Sequence, residues 1–119
     1  MHNYKKLKIW EKSMELSLLV YQITSTFPKE ERFGLTSQIR RCAVSIPSNI
    51  AEGSSRDSSK DFSRFLRISI GSSFELKTQL LLSKDLDFIS ESDFDAVVEA
   101  LNEIQKMLNS FIKKMNAEV

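Results

Sequence analysis

The chain has 119 residues and a formal net charge of +1; 41% of its residues are hydrophobic and 28% are charged, which excludes an intrinsically disordered chain. Three glycines and two prolines are too few for an all-β fold with many tight turns, and no apolar run approaches the ~20 residues that span a bilayer. With Cys42 as its only cysteine and no signal-peptide pattern, we expect a cytoplasmic protein without disulfides or a membrane partner.

The first predicted helix covers residues 7–27 and carries two apolar stripes on roughly opposite sides. One stripe consists of Leu7, Trp10, Met14, Leu18 and Tyr21, and the other consists of Ile9, Leu16, Val20, Ile23 and Phe27. A helix on the outside of a monomeric bundle needs only one such stripe. The second stripe therefore indicates a contact between copies of the chain, which we assign to Ile9, Leu16, Val20 and Ile23.

The second predicted helix, residues 35–55, contains Pro47 in its interior. A proline there has no N–H for the carbonyl of Ala43 and costs ~3 kcal/mol or more. The carbonyl then needs water or a hydroxyl, such as that of Ser48. Either the resulting kink fits the helix around its neighbours, or it turns Asn49 and Glu52 toward a partner subunit or a ligand.

Two longer helices follow, over residues 59–85 and 91–116. Ser58 or Ser59 is placed to cap the first of them, and Ser90 the second. The last helix has apolar residues at alternating spacings of three and four: Phe94, Val97, Leu101, Ile104, Leu108, Phe111 and Met115. The pattern predicts an all-α fold, a single antiparallel up-and-down four-helix bundle over residues 1–119, with short connections.

Asn49 and Glu52 fall on one side of the second helix, and Glu75 lies in the third helix beside several small residues. Together with Arg41, they form a candidate polar network at a helix–helix or subunit contact. A ligand site and plain solvent exposure are the alternatives. Glu52 and Glu75 resemble a catalytic carboxylate pair only superficially, because no nucleophile, cofactor motif or metal-ligand spacing accompanies them. We therefore predict no enzyme activity, no cofactor and no metal site.

The middle of the chain is basic: residues 32–67 carry seven cationic against three acidic side chains, a net +4. Such an excess favours binding to phosphates that is salt-sensitive and weakly sequence-selective. The candidate nucleic-acid face consists of Arg40, Arg41, Arg56, Lys60, Arg64 and Arg67. We expect no base readout, because no aromatic-rich platform accompanies these residues. The alternatives are a solvated face, pairing with the acidic start of the fourth helix, or an anionic protein partner.

The strings RRCAVSIPSNIAEGSSR and FLRISIGSSFELKTQL, with LKIWEKSMEL near the start, carry a resemblance that covers nearly the whole chain. The sequence resembles the bacterial four-helix-bundle proteins first noticed as reading frames within intervening sequences of 23S ribosomal RNA genes. It is also similar to the accessory protein of diversity-generating retroelements, whose ring engages a reverse transcriptase and nucleic acid. The resemblance implies a bundle that forms a homo-oligomeric ring, a pentamer.

These observations lead to one functional hypothesis and one alternative. The hypothesis is a non-enzymatic, self-assembling bundle that acts as an accessory or binding protein for RNA, DNA or a nucleic-acid enzyme. The alternative is an oligomeric assembly module with protein partners and no nucleic-acid binding.

Overall fold

The computed structural model describes residues 2–117 and arranges four α-helices around one apolar core. The helices are α1 (Lys8–Thr24), α2 (Leu35–Ser54), α3 (Ser59–Asp85) and α4 (Glu91–Ala117), with short 3₁₀ turns at Tyr4–Lys6 and Lys29–Glu31. Residues 2–117 contain no β-strand, so the prediction of an all-α, four-helix protein is confirmed. The helix bounds lie within three residues of the predicted ones.

The helix ends follow from local hydrogen bonds. The Ser58 hydroxyl accepts from the backbone N–H of Asp61 at 3.1 Å, which caps α3. The Ser90 hydroxyl does the same for the N–H of Asp93 at 3.2 Å, which caps α4. The largest difference from the prediction is the end of α1, which stops at Thr24 instead of residue 27. Serine and threonine hydroxyls in that last turn bond back to helix carbonyls and so compete with further helix hydrogen bonds.

The four helices occupy the corners of a square. α1 contacts α2 and α4, and α3 contacts the same two helices, whereas α1 and α3 do not touch within the described part of the chain. α1 and α3 are therefore diagonal neighbours, with outer faces that point away from each other. The molecule is elongated along the helices, with extents of 46 × 23 × 20 Å.

The burial of α1 corrects the predicted oligomer contact. Ile9, Leu16, Val20 and Ile23 are at most 8% exposed and belong to the core of a single chain, so they cannot face a second copy. The opposite stripe is the exposed one, with Met14 40%, Leu18 65% and Tyr21 46% exposed. The two stripes are equally apolar in sequence, and only the positions of α2 and α4 decide which one is covered.

The interior proline of α2 is compensated from α1. Pro47 is buried in a continuous helix. The Ser17 hydroxyl of α1 lies 3.2 Å from the carbonyl of Ala43 and 3.0 Å from that of Ser13 in its own helix, and it shares its one hydrogen between these two acceptors. The expected partner is water or a hydroxyl such as that of Ser48; the partner in the structure is a hydroxyl, but it comes from α1, and Ser48 is exposed. A second serine from the other side, Ser69 of α3, donates to the carbonyl of Ile46 at 2.9 Å. Side chains from both neighbouring helices thus bond the backbone of α2 next to its proline.

We expect Ser17→Ala to lower the free energy of unfolding by about 1–3 kcal/mol, because it leaves the buried Ala43 carbonyl without this donor. Pro47→Ala restores a backbone N–H to the same carbonyl, so Ser17→Ala should cost much less in that background. Urea unfolding of the two single variants and the double variant measures this coupling. Equal costs of Ser17→Ala in both backgrounds would contradict the compensation.

α2 and α3 approach closely at Gly53. A Cβ atom placed on Gly53 would lie 2.7 Å from the Cβ of Phe65 and 2.9 Å from a ring carbon of Phe62, both far below van der Waals contact. Gly71 of α3, in contrast, has nothing within 4 Å of such an atom. The absence of a side chain is therefore a packing requirement at residue 53 but not at residue 71.

Candidate functional site

The six cations of the predicted nucleic-acid face do not form one surface. Arg40 and Arg41 lie in the first turns of α2, whereas Arg56 follows its last residue, Ser54. At 1.5 Å per helical residue, the two positions are roughly 20 Å apart along the bundle. The basic stretch of the sequence is thus divided between opposite ends of the molecule.

The group at the far end, here called the neutralised end, consists of Arg56, Lys60, Arg64 and Arg67, of which two are paired with acids. Arg56 pairs with Glu52 at 3.2 Å, and Arg64 lies 3.9 Å from the carboxylate of Asp61. Both guanidinium groups also lie over the ring of Phe65, at 4.8 and 5.9 Å from its centroid. Lys60 and Arg67 are exposed. Two of these four cations therefore have acidic partners three or four residues away in sequence, which reduces the attraction of this end for phosphate.

The group at the other end borders a groove of about 530 Å³, here called the arginine groove. It lies where the end of α1, the turn before α2 and the first half of α2 meet. Its lining residues are Tyr21, Arg32, Phe33, Ser37, Arg40, Arg41, Val44, Ser45 and Ser48. Three arginines and no acidic side chain of residues 2–117 line it. The groove is consequently a concentrated site of positive charge.

The three arginines of the groove differ in burial and in contacts. Arg40 is half-buried; its Nε donates to the Thr24 hydroxyl at 2.9 Å, and its guanidinium lies 4.5 Å from the ring centroid of Tyr21. It therefore holds the end of α1 against α2. Arg32 and Arg41 are exposed, and neither forms an ion pair of 4.0 Å or less with an acidic side chain of the described residues. These two arginines are therefore available to bind an anion.

Phe33 is the feature that the sequence analysis missed. It directly precedes Gly34, the residue before α2, and 88% of its surface is exposed. The Arg32 guanidinium lies 5.3 Å from its ring centroid. The expectation that no aromatic platform accompanies the basic residues is wrong at this position, since the groove places two aromatic rings among its arginines. The adjacent pair Arg32–Phe33 was the available signal, but its exposure depends on the loop conformation.

The residues of the predicted polar network also lie in separate places. The Asn49 side chain donates to the carbonyl and hydroxyl of Ser45, at 2.8 and 3.0 Å, and the Ser45 hydroxyl is 2.8 Å from that of Ser72 on α3. Glu52 is engaged by Arg56. Asn49 thus takes part in a link between α2 and α3, while Glu52 belongs to the neutralised end of the bundle.

Arg41 and Glu75 are brought together at a small cavity of about 280 Å³ between α2 and α3, whose lining also includes Cys42 and Gln79. Burial, reinforced by the Glu75 carboxylate, raises the pKa of the Cys42 thiol to about 11. The thiol is therefore protonated at neutral pH and is a poor nucleophile.

Among residues 2–117, no cluster of three or more His, Cys, Asp or Glu side chains is arranged to hold a metal ion. None of the helices in this part of the chain is long and apolar enough to cross a membrane.

Residues 5–110 match the family model described as 23S rRNA-intervening sequence protein. A crystal structure of a protein of unknown function, from the S23 ribosomal protein family of Bacteroides thetaiotaomicron VPI-5482, has a similar fold, with a TM-score of 0.82 and 27% sequence identity. The similarity covers 88% of this chain and 95% of that chain. Curated proteins include no significant match. Because the family match spans most of the sequence, the chain belongs to the 23S rRNA-intervening sequence protein family.

Proposed function

We propose that this protein is a non-enzymatic accessory protein of the cytoplasm that assembles into a ring and binds nucleic acid through the arginine groove. The observation that carries the proposal is the charge of the groove, which is lined by three arginines and by no acid of residues 2–117. Guanidinium groups bind phosphate oxygens with two parallel hydrogen bonds, so exposed arginines suit a phosphate backbone. Each phosphate that is neutralised releases counterions and strengthens binding at low salt.

The course of the chain supports an antiparallel, up-and-down bundle. Ser17 of α1 meets Ala43 of α2, and Thr24, further along α1, meets Arg40, earlier in α2. The partner number falls as the number in α1 rises, as expected for antiparallel neighbours. The connections between helices are also short, which favours this topology.

Two exposed apolar patches support assembly. The α1 patch consists of Met14 and Leu18, and the α3 patch consists of Phe74, Leu81 and Leu82, which are 46–59% exposed. They lie on diagonal corners of the bundle and differ in composition. Two different patches on opposite sides favour a head-to-tail contact, in which the α1 patch of one copy covers the α3 patch of the next. Such contacts close into rings when the rotation between copies allows it, which is the arrangement that the family resemblance implies.

The nucleic-acid role is tested by replacing the two exposed arginines of the groove, Arg32→Ala plus Arg41→Ala. We expect binding of a short single-stranded RNA at low salt to weaken about tenfold or more, because two guanidinium groups that bind phosphate are lost. The slope of log affinity against log salt concentration should decrease in magnitude by about 1.4, because each lost phosphate contact accounts for about 0.7. Fluorescence anisotropy of a labelled RNA, titrated at several salt concentrations, measures both quantities.

The matched control is Arg56→Ala plus Arg64→Ala, which removes the same charge from the neutralised end of the bundle. This variant should retain most of the affinity and most of the salt dependence. Equal losses in the two double variants would mean that net charge and not the groove drives binding. Lack of binding by the unaltered protein at low salt would overturn the nucleic-acid role and favour an assembly module with protein partners only.

A further inference from the structure

We propose that the arginine groove selects single-stranded nucleic acid by stacking an unpaired base on Phe33. This inference rests on the proposed function and adds to it the kind of strand that is bound. It follows from an arrangement that charge alone does not explain, namely an exposed aromatic ring set among the arginines of one groove.

Phe33 is placed where its ring contributes little to the fold. Among residues 2–117 it is the most exposed of the large hydrophobic side chains, at 88%, whereas the next, Leu18, is 65% exposed. Leu18 lies on a patch with a second apolar residue, but Phe33 lies in the turn before α2, with Arg32 over its ring. A ring that is almost entirely in water adds hardly any hydrophobic stabilisation to the monomer. Its surface is therefore available to a ligand with a flat face of its own.

The groove offers the two kinds of contact that a single strand needs. Arg32 and Arg41 supply cationic donors for phosphates, and Phe33 supplies a face for a base. The exposed hydroxyl-bearing residue Ser48, also in the lining, adds a polar group. A duplex keeps its bases stacked on one another and presents mainly phosphates and groove edges to a protein, so it would satisfy the arginines but not the aromatic ring. The combination of both contacts favours a strand whose bases are unpaired.

The size of the groove suits one nucleotide, and the aromatic ring distinguishes this ligand from an acidic peptide. A volume of about 530 Å³ is within the usual range for sites that hold one small ligand, and a single nucleotide of a strand is of that scale. An acidic peptide would pair with the arginines without needing Phe33. The role of the ring therefore separates the two ligands experimentally.

The test compares three probes on the unaltered protein: a short single-stranded RNA, a blunt RNA duplex of the same length, and heparin, which carries negative charge without bases. We expect the single strand to bind more tightly than the duplex. Phe33→Ala should weaken single-strand binding about tenfold, a typical effect of losing one base–aromatic stack, and should leave heparin binding unchanged. Phe33→Tyr, which keeps a flat ring, should retain the affinity for the single strand.

A spectroscopic measurement reports the stack directly. Phe33→Trp, made in a Trp10→Phe chain, leaves one indole in the protein, because Trp10 is the only tryptophan. Its emission should be quenched by the single-stranded RNA and not by heparin. Such quenching would support stacking independently of any affinity change.

The outcomes separate this inference from the proposed function. Equal binding of single strand and duplex, or a Phe33→Ala variant that binds the single strand as well as the unaltered protein, would overturn base stacking while leaving phosphate binding intact. Heparin binding without RNA binding would overturn both and indicate an acidic protein partner. Failure of all three probes to bind would overturn the proposed function itself.

Discussion

Gly53→Ala should destabilise the protein by about 2 kcal/mol, although alanine is the better helix former. The helix propensity gained is about 1 kcal/mol, but overpacking of a tight contact costs about 1–3 kcal/mol, and here the opposing atom leaves little room to adjust. The Cβ of Phe65, 2.7 Å from the added atom, is fixed to the backbone of α3 and cannot rotate away. α2 and α3 must therefore separate, which also loosens the packing of the buried Phe62 ring.

The matched control is Gly71→Ala in the neighbouring helix. Gly71 is exposed and nothing lies near its missing Cβ, so the propensity gain is not opposed and stability should rise by about 0.5–1 kcal/mol. Thermal unfolding measures both changes in stability, because the midpoint temperature shifts by about 4 °C for each kcal/mol in a chain of this size. A Gly53→Ala variant as stable as Gly71→Ala would contradict the close approach of α2 and α3 at residue 53.

Leu18→Asp and Phe74→Asp should each convert the proposed oligomer into monomers of about 13.7 kDa, because each places a charge in one half of the proposed head-to-tail contact. Both residues are more than half exposed in the single chain, so the fold itself should be unaffected. Light scattering gives the mass, and circular dichroism at the helix bands serves as the control for folding. The effect expected on assembly is complete and not graded, since every copy carries both patches.

Mixing the two variants identifies the geometry of the contact. The Leu18→Asp chain keeps its α3 patch and the Phe74→Asp chain keeps its α1 patch, so one intact contact forms between them and the mixture should contain heterodimers but no ring. A symmetric dimer through the α1 patch predicts a different pattern, in which Phe74→Asp has no effect and the mixture gains nothing. Monomeric mass for the unaltered protein at micromolar concentration would refute assembly altogether.

The sequence predicts those parts of the fold that depend on local pattern. The alternating spacing of α4 places Phe94, Val97, Leu101 and Ile104 in the core, and the serines at residues 58 and 90 mark helix starts, because capping and amphipathicity act over a few residues. One member of the α4 pattern is displaced: Phe111 is only partly buried, and Ile112 beside it is buried instead.

The parts that sequence does not predict depend on how helices meet. Two equivalent stripes on α1 cannot reveal which one faces α2 and α4, so the predicted oligomer contact falls in the core. The donor for the Ala43 carbonyl, Ser17, is 26 residues away in sequence. The candidate site follows the same rule. Six cations from one stretch of the sequence, residues 40–67, lie toward opposite ends of α2, whereas Tyr21 and Arg41, from different helices, line one groove.

The proline of α2 has a consequence for how this protein reaches its folded state. With Pro47 in its interior, the segment Leu35–Ser54 lacks one of the internal bonds that would let it persist as a helix by itself. Serine hydroxyls from α1 and α3 donate to backbone carbonyls beside the proline, and that of Ser17 gives the Ala43 carbonyl the hydrogen bond that the proline cannot donate. The segment thus regains the missing bond only when α1 has docked against it, which couples the formation of α2 to that of its neighbour.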